Sequence, residues 1–278
     1  MPLGAVIEAV VATRDLAASV DFHTRAFGLD VLHRDADGAL LGAPGGDTGR
    51  LRLVAAPDAP DLPAPRLWDI GPRLLGIYSR DLERTAAAID AAGGRSRDRV
   101  TYPYGAATLS EFVALGADGV WWTIPRAVAG GHRPSPALEG DPARPHGELH
   151  TAVIVPADHD AAVGFFVEAG GLQILFEGEM SGEPFDRMTG IPADGSLRLT
   201  FLVSPGHAPA RLEIMSFGGV DAEDLSGRPL GLRRLVFASD DPAATLADLV
   251  KAGGAPIDAT SLRGPAGVEI EVRPTKRS

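Results

Sequence analysis

Apolar and polar positions along the chain repeat one arrangement four times. A short apolar strand ends at an aspartate, a helix with one apolar face follows, and a glycine ends that helix before further strand-like segments. The first copy is VIEAVVATRDLAASVDFHTRAFG, in which Asp15 precedes apolar residues at helical spacing. The later copies place their aspartates at Asp81, at Asp158 or Asp160, and at Asp241. The sequence therefore predicts four repeats of one mixed α and β unit.

Strand-like segments separated by Gly and Pro follow each predicted helix. Examples are LRLVAA, VWWTIP, RLEIMSF and VEIEV, which give the repeating unit a βαβββ order. A single unit leaves one face of its sheet uncovered, so the units are expected to pair. The predicted fold class is therefore α+β, with four βαβββ modules paired into two similar domains.

A Gly/Pro-rich segment without an apolar period, AVAGGHRPSPALEGDPARPH, separates the second repeat from the third. We predict a linker over 129–146, between an N-terminal domain over 1–128 and a C-terminal domain over 147–278, each made of two consecutive modules. The third module is also longer than the first, with surplus residues near 176–195. A surface insertion and a loop that covers a site both explain this surplus, because long loops often serve binding sites.

The composition narrows the chemistry. Of the 278 residues 45% are hydrophobic and none is cysteine, which excludes disulfides, zinc–thiolate sites and cysteine nucleophiles. A formal net charge of -11 without a Lys/Arg-rich run disfavours nucleic acid and anionic membranes as partners. No segment approaches the ~20 apolar residues that span a bilayer. We therefore expect a cytoplasmic protein with a small-molecule partner, and the oligomeric state stays open, a homodimer included.

These features together resemble the vicinal oxygen chelate superfamily, which includes glyoxalase I, extradiol dioxygenases, methylmalonyl-CoA epimerase, and fosfomycin- and bleomycin-resistance proteins. The resemblance is carried by the four strand–Asp–helix–Gly openings, the segment RMTGIPADGSLRL, the strand RLEIMSF and the ending GPAGVEIEV. It covers nearly the whole chain. It implies glyoxalase-like domains with cupped mixed β-sheets, and metal ligands on the first and last strands of each module.

In the first half of the chain, the ligand positions of the family fall on residues that do not suit a metal. They hold Glu8, Arg52, Leu74 and Thr123, and among these only the carboxylate of Glu8 is of a type that binds metal ions. We therefore expect the N-terminal domain to lack an active site.

In the second half the same positions hold His150, Glu213, Arg234 and Glu271. The resemblance implies that His150, Glu213 and Glu271 bind a divalent cation such as Zn, Fe, Mn, Co or Ni, which N/O ligand sets suit. Arg234 stands where most relatives have a histidine. It either binds a carboxylate of the substrate, or replaces the metal by bridging Glu213 and Glu271. The neighbouring Arg233 is the alternative for this inner position.

Strand alternation supports this assignment. In VEIEVR the apolar residues alternate with a polar face that carries Glu269 and Glu271, and in RLEIMSF one face carries Glu213 and Met215. His150 lies opposite the apolar valines of its own strand. We therefore predict Arg234, Glu269 and Met215 as substrate-binding residues, and Glu213 or Glu271 as the catalytic base.

Three functions stay open at this point. The first is a metal-dependent enzyme of the glyoxalase or epimerase type, an isomerase or lyase whose metal binds two adjacent oxygens of the substrate and stabilises an enolate. The second is a metal-free small-molecule binding or resistance protein of the bleomycin-resistance type. An extradiol ring-cleavage dioxygenase ranks lower, because that group is expected to use two histidines and one carboxylate.

Overall fold

The structure is a computed structural model that describes residues 2–104, 107–128 and 133–275. The first two repeats form the predicted modules. Asp15 and Asp81 cap the helices that follow them, each accepting a hydrogen bond from a backbone N–H in the first turn. The elements of module 1 are β1 (Val6–Thr13), α1 (Leu16–Phe27), β2 (Asp30–Arg34), β3 (Gly38–Gly42) and β4 (Arg50–Ala55). Those of module 2 are β5 (Gly71–Ser79), α2 (Leu82–Ala91), β6 (Arg95–Ser96), β7 (Val100–Tyr104), β8 (Ala107–Leu115) and β9 (Trp121–Pro125).

The third and fourth repeats form modules 3 and 4, after a short helix α3 (Pro136–Gly140). Asp158, rather than Asp160, caps the helix of module 3, and Asp241 caps that of module 4. The elements of module 3 are β10 (His146–Val155), α4 (His159–Gly164), which continues as a π-helical turn over Phe165–Ala169, β11 (Gln173–Ser181), α5 (Phe185–Thr189), β12 (Ser196–Val203) and β13 (Arg211–Gly218). Those of module 4 are β14 (Gly231–Ser239), α6 (Pro242–Lys251), β15 (Ala255–Pro256), β16 (Ser261–Arg263) and β17 (Glu269–Pro274).

The strands form two mixed sheets, and each sheet joins modules from both sides of the linker. Modules 1 and 4 form the outer sheet, in the order β15-β16-β17-β14-β1-β4-β3-β2. Modules 2 and 3 form the inner sheet, in the order β11-β12-β13-β10-β5-β9-β8-β6, with β7 paired to β8. The expectation that consecutive modules pair within each domain is therefore wrong. The repeat pattern could not show this, because every module offers a similar first strand for pairing.

One hydrophobic core joins the two sheets. It takes buried side chains from both sheets and from the helices of all four modules, among them Phe22, Ile89, Phe166 and Leu249. A second buried cluster lies on the other face of the inner sheet, where Val153, Leu199 and Phe201 belong to it. Among the described residues, the helices that build the shared core contribute no buried side chain to this second cluster.

The linker packs against the modules instead of running free. Leu138 of α3 is 1% exposed, and its carbonyl accepts a hydrogen bond from Arg80 of module 2. Ser135 donates to Glu148 at the start of module 3. The first residues of the predicted linker, 129–132, lie outside the described residues. Within the described part of the chain, the helices are all too short or too polar to cross a membrane.

Candidate functional site

The predicted ligand positions separate into two sets, because the first strands of modules 3 and 4 lie in different sheets. His150 and Glu213 lie in the inner sheet, on β10 and β13, whereas Arg234 and Glu271 lie in the outer sheet, on β14 and β17. The prediction that His150, Glu213 and Glu271 form one metal site is therefore wrong. Each sheet instead combines two positions from each half of the chain: Glu8, Arg52, Arg234 and Glu271 in the outer sheet, and Leu74, Thr123, His150 and Glu213 in the inner sheet.

In the outer sheet, ion pairs join these side chains. Glu8 on β1 lies 2.8 Å from the Nε of Arg52 on β4 and 3.0 Å from Nη1 of Arg273 on β17. The Nε of Arg273 also lies 2.6 Å from Glu271 on its own strand. Burial raises the pKa of Glu8, but the hydrogen bonds and positive charges of Arg52 and Arg273 outweigh it and hold this pKa below its usual value. Glu8 is therefore a charged member of a network.

The same network continues on β14. Arg234 lies 2.8 Å from Glu271 and 3.0 Å from Glu269, and Arg233 lies 2.7 Å from Glu269. Arg234 thus bridges two glutamates, as one alternative held, but the second partner is Glu269 instead of Glu213. Both arginines face Glu269, and of the two Arg234 also reaches Glu271. Arg234 and Glu269, both predicted to bind substrate, therefore form an ion pair with each other.

The inner sheet contains a cavity of about 180 Å³ on its second face. Its wall is mostly apolar, and a few charged groups converge on it. Met215, predicted to bind substrate, lies in this wall together with His150 and Glu213. The remaining lining residues are Leu67, Leu74, Tyr78, Tyr102, Leu109, Glu111, Val113, Thr123, Pro125, Arg126, Arg133, Leu175, Met180, Phe185, Met188, Thr189, Leu197, Leu199, Phe201 and Arg211. The half of the chain expected to lack a site therefore supplies much of the cavity wall.

His150 reaches the cavity through an irregularity of its strand. The ladder between β10 and β5 pairs Leu149 with Ile77 but Thr151 with Gly76, so an extra residue is inserted at His150 as in a β-bulge. The side chain thereby shares a face with Val153, which alternation had placed opposite. Its ring stacks on Tyr78, with the ring centroids 4.2 Å apart.

Gly76 makes room for this arrangement. A Cβ at this position would lie 2.7 Å from Nε2 of His150 and 3.0 Å from Cγ2 of Thr123, and it would overlap Cγ2 of Thr151. Contacts under 3 Å force the neighbouring side chains to move. The glycine is therefore a requirement of the cavity, since any other residue displaces the groups around it.

Glu213 is a buried acid of the cavity. Its side chain is 4% exposed and accepts a hydrogen bond from Thr151 at 3.3 Å, while Nη2 of Arg211 lies 3.7 Å away. Burial raises the pKa of Glu213 to about 7; Arg211 opposes this rise and the nearby Glu111 adds to it. The carboxyl group therefore exchanges its proton near neutral pH, which suits an acid–base group or a hydrogen-bond donor to a ligand.

Glu111 is a site residue that the sequence analysis missed. It lies on β8 and accepts hydrogen bonds from Tyr102 and, at 3.2 Å, from Thr123. Burial raises the pKa of this carboxyl as well. The signal was present in TLSEFVAL, where a single carboxylate shares the strand face of Leu109 and Val113. Arg211 carried a similar signal, because it shares a strand face with Glu213 in RLEIMSF; its guanidinium group lies 3.7 Å from the ring centroid of Phe201.

The insertion predicted near 176–195 lies over this cavity. It forms the end of β11 and the helix α5, and four of its side chains line the cavity wall. The ring of Phe185 packs against Tyr102, with the centroids 4.7 Å apart. Of the two interpretations left open, the structure agrees with the loop that covers a site.

In the part of the chain that the structure describes, neither sheet offers the ligand set of a divalent metal ion. The described residues contain no group of three His, Asp or Glu side chains placed to hold one. In the inner sheet only His150 and Glu213 are metal-type donors among the family positions, and the carboxylate of Glu213 has a guanidinium beside it. In the outer sheet, two guanidinium groups stand among the four positions and neutralise the two carboxylates. The residues present therefore do not fit the metal that the resemblance implied.

Fold and cavity together define a protein of four βαβββ modules in two mixed sheets, with a cavity on the second face of the inner sheet. Residues 6–124 match the family model of the Glyoxalase/Bleomycin resistance protein/Dioxygenase superfamily. The resemblance to the vicinal oxygen chelate superfamily is thereby confirmed over residues 6–124. No curated protein sequence is significantly similar to the chain.

Solved structures of the same architecture cover nearly the whole chain. Glyoxalase I from Zea mays superposes with a TM-score of 0.65 at 17% identity, over 96% of this chain and 91% of that chain. A putative dioxygenase from Bacillus subtilis gives a TM-score of 0.65 at 10% identity, over 98% and 86%. The cppA protein from Streptococcus pneumoniae gives 0.53 at 12% identity, over 99% and 100%. Identities this low show the fold alone, and they confirm the predicted fold class.

Proposed function

We propose that the protein binds a small organic molecule in the cavity of the inner sheet, and that this binding does not require a metal ion. The observation that carries the proposal is the cavity itself, in which an apolar wall surrounds a few converging polar groups. Ligand sites are usually built in this way. The proposal corresponds to the metal-free alternative among the functions expected from the sequence.

The size of the cavity limits the ligand. Its volume of about 180 Å³ is somewhat larger than the ~150 Å³ of an engineered apolar cavity that binds benzene. A single ring with a few substituents therefore fits, whereas a peptide or a nucleotide does not. The aromatic side chains of Tyr78, Tyr102 and Phe201 offer flat surfaces for such a ring.

The charge of the lining favours an anionic or neutral ligand. Three arginines, Arg126, Arg133 and Arg211, face two glutamates in the wall. Because burial raises the pKa of Glu213 to about 7, the negative charge of this glutamate is reduced near neutral pH. The arginines then predominate. Benzoate and its substituted forms combine the expected size with the expected charge.

Titration calorimetry with benzoate and para-substituted benzoates tests the proposal, on protein treated with EDTA. We expect binding by the wild type, and its loss in Leu199→Trp, which fills the cavity. Leu40→Trp is the matched control, because Leu40 lies on the corresponding strand of the outer sheet, beside Arg52 and outside the cavity. Binding that appears only after adding Zn, Mn, Fe, Co or Ni would instead support the metal-dependent enzyme. Equal binding by both tryptophan variants would remove the cavity from the proposal.

A proton-transfer reaction in the same cavity is the second candidate, and the raised pKa of Glu213 favours it. In this reaction the carboxylate of Glu213 takes a proton from a carbon next to a carbonyl group of the substrate, and returns it to the same or a neighbouring carbon. No net oxidation occurs. Incorporation of deuterium from D2O into a bound ligand, followed by NMR and lost in Glu213→Gln, distinguishes this isomerase from a binding protein.

A further inference from the structure

A second pocket, separate from the ligand cavity, lies between modules 2 and 4. It forms where β5 begins, beside the segment 225–233 and the turn before β17. Its volume is about 40 Å³, and its wall holds four arginines and one glutamate: Arg73, Arg228, Arg233, Arg263 and Glu269. Positive charge therefore exceeds negative charge in this wall.

Arg73 contributes a buried positive charge. Arg73 is 3% exposed, and its guanidinium group donates hydrogen bonds to the backbone carbonyls of Asp69 at 3.0 Å and Ile70 at 2.9 Å. Burial lowers its pKa to about 10; the charge of Asp69 opposes this change and that of Arg228 adds to it. A guanidinium held by carbonyl groups in this way gains from an additional negative charge nearby.

Arg228 has unused hydrogen-bonding capacity at the same place. Its Nη2 donates to the carbonyl of Leu62 at 3.3 Å, but its buried Nε has no acceptor among the described residues. Asp69 and Glu223 are the carboxylates whose charges act on Arg228. Asp69 already accepts hydrogen bonds from Arg66 and from the backbone of Glu223. A buried donor without an acceptor is costly, so a further acceptor in the pocket would be stabilised.

The remaining arginines set the outer limit of the pocket. Arg233 lies 2.7 Å from Glu269, which offsets its charge, and Arg263 is exposed at the rim. A water molecule needs ~10–15 Å³ of such volume, so a pocket of about 40 Å³ holds a group of a few oxygen atoms but no ring. Exposure of Arg263 and Gly227 leaves the pocket open to solvent on that side.

We propose that this pocket binds a small oxyanion, such as a phosphate or carboxylate group, through the guanidinium groups of Arg228 and Arg73. The proposal is independent of the ligand cavity in the inner sheet, because no residue lines both. The oxyanion is either free in solution or the exposed end of a larger molecule. Because the pocket joins modules 2 and 4, binding strengthens the contact between the two sheets.

Inorganic phosphate is the first probe, measured as the thermal unfolding of the whole protein against sodium chloride at equal ionic strength. We expect a saturable rise of the melting temperature with phosphate, since a ligand that binds the folded state stabilises it. Acetate and glycerol phosphate are the further arms. A response to glycerol phosphate as strong as that to phosphate identifies the end of a larger molecule as a ligand, whereas a response to phosphate alone identifies the free ion.

Arg228→Gln tests the assignment, with Arg228→Lys beside it to keep the charge while losing the planar fork. Arg25→Gln is the matched control, because Arg25 is an exposed arginine paired with Asp21 on α1. We expect the apparent phosphate affinity to fall by about 10- to 100-fold in Arg228→Gln, less in Arg228→Lys, and not in Arg25→Gln. Phosphate without effect beyond that of chloride, or the same response in Arg228→Gln and Arg25→Gln, would overturn the proposal.

Discussion

Replacing Glu213 by glutamine should stabilise the protein at alkaline pH. In the unfolded chain this glutamate loses its proton near its ordinary pKa of 4.5, whereas burial raises the folded-state pKa to about 7. The contribution of this group to stability is therefore fully present below pH ~4.5, and it is lost as the pH rises through about 7. Glutamine has no such proton, so the variant avoids this loss.

The size of the effect follows from the same values. A rise of the pKa from 4.5 to about 7 corresponds to about 3 kcal/mol, because one pH unit is worth ~1.4 kcal/mol. The opposing attraction of Arg211 is already contained in the net value. The glutamine side chain keeps an oxygen that accepts the hydrogen bond from Thr151. At pH 8 we therefore expect the free energy of unfolding of Glu213→Gln to exceed that of the wild type by up to about 3 kcal/mol.

Urea unfolding at pH 5 and pH 8, with EDTA present, measures this difference. Comparing variant and wild type at each pH cancels the titration of other groups. Glu271→Gln is the control, since it removes a glutamate that pairs with Arg234 and Arg273 in the outer sheet. We expect this control to lower stability at both pH values by about 1–2 kcal/mol, because the side chains of its partners Arg234 and Arg273 are 32% and 36% exposed, which reduces the cost known for fully buried pairs. If Glu213→Gln changes the free energy equally at pH 5 and pH 8, the reasoning is refuted.

Three further predictions concern the cavity and the metal. Gly76→Ala should lower the free energy of unfolding by ~1–3 kcal/mol and abolish benzoate binding, because its Cβ would overlap Thr151; Gly206→Ala, with open space around its Cβ, is the control in the same urea titration. Hydrogen exchange of residues 177–195 should slow when benzoate saturates the cavity, and unchanged protection would mean that the insertion does not close over the ligand. The melting temperature of the wild type should not respond to EDTA or to added Zn, Mn, Co or Ni, and a rise with a stoichiometric metal would contradict our reading of the donor set.

The elements were predictable from the sequence because local signals determine them. The caps at Asp15 and Asp81 and the alternation in β13 and β17 appear in the structure as expected. Leu212 and Ile214 face the shared core, while Glu213 and Met215 face the cavity. The family resemblance added the ligand positions on the first and last strands of each module.

The site was less predictable because it depends on pairing between distant modules. Strand alternation places Glu213 and Glu271 on the polar faces of their strands, but it does not show that the two strands lie in different sheets. The side chain of His150 points to the cavity because β10 contains an extra residue at this position. The alternation of apolar and polar residues in this strand does not predict such a bulge. The sequence shows Glu111 as a lone carboxylate on an apolar strand face. Its role in the site depends on its proximity to Glu213, which the sequence does not show.

The nested pairing of the modules bears on how the chain folds as it is synthesised. Modules 2 and 3 follow each other, so the inner sheet can close once module 3 has been made. Module 1 is made first, but the edge of β1 that joins Val10 to Arg234 has no partner until module 4 emerges. Contacts between such distant segments form slowly, because a long loop must close before they are made. Module 1, the first of the four modules to leave the ribosome, is thus among the last to be completed. When translation is slow, the unpaired edge of β1 stays exposed for longer and can associate with other chains.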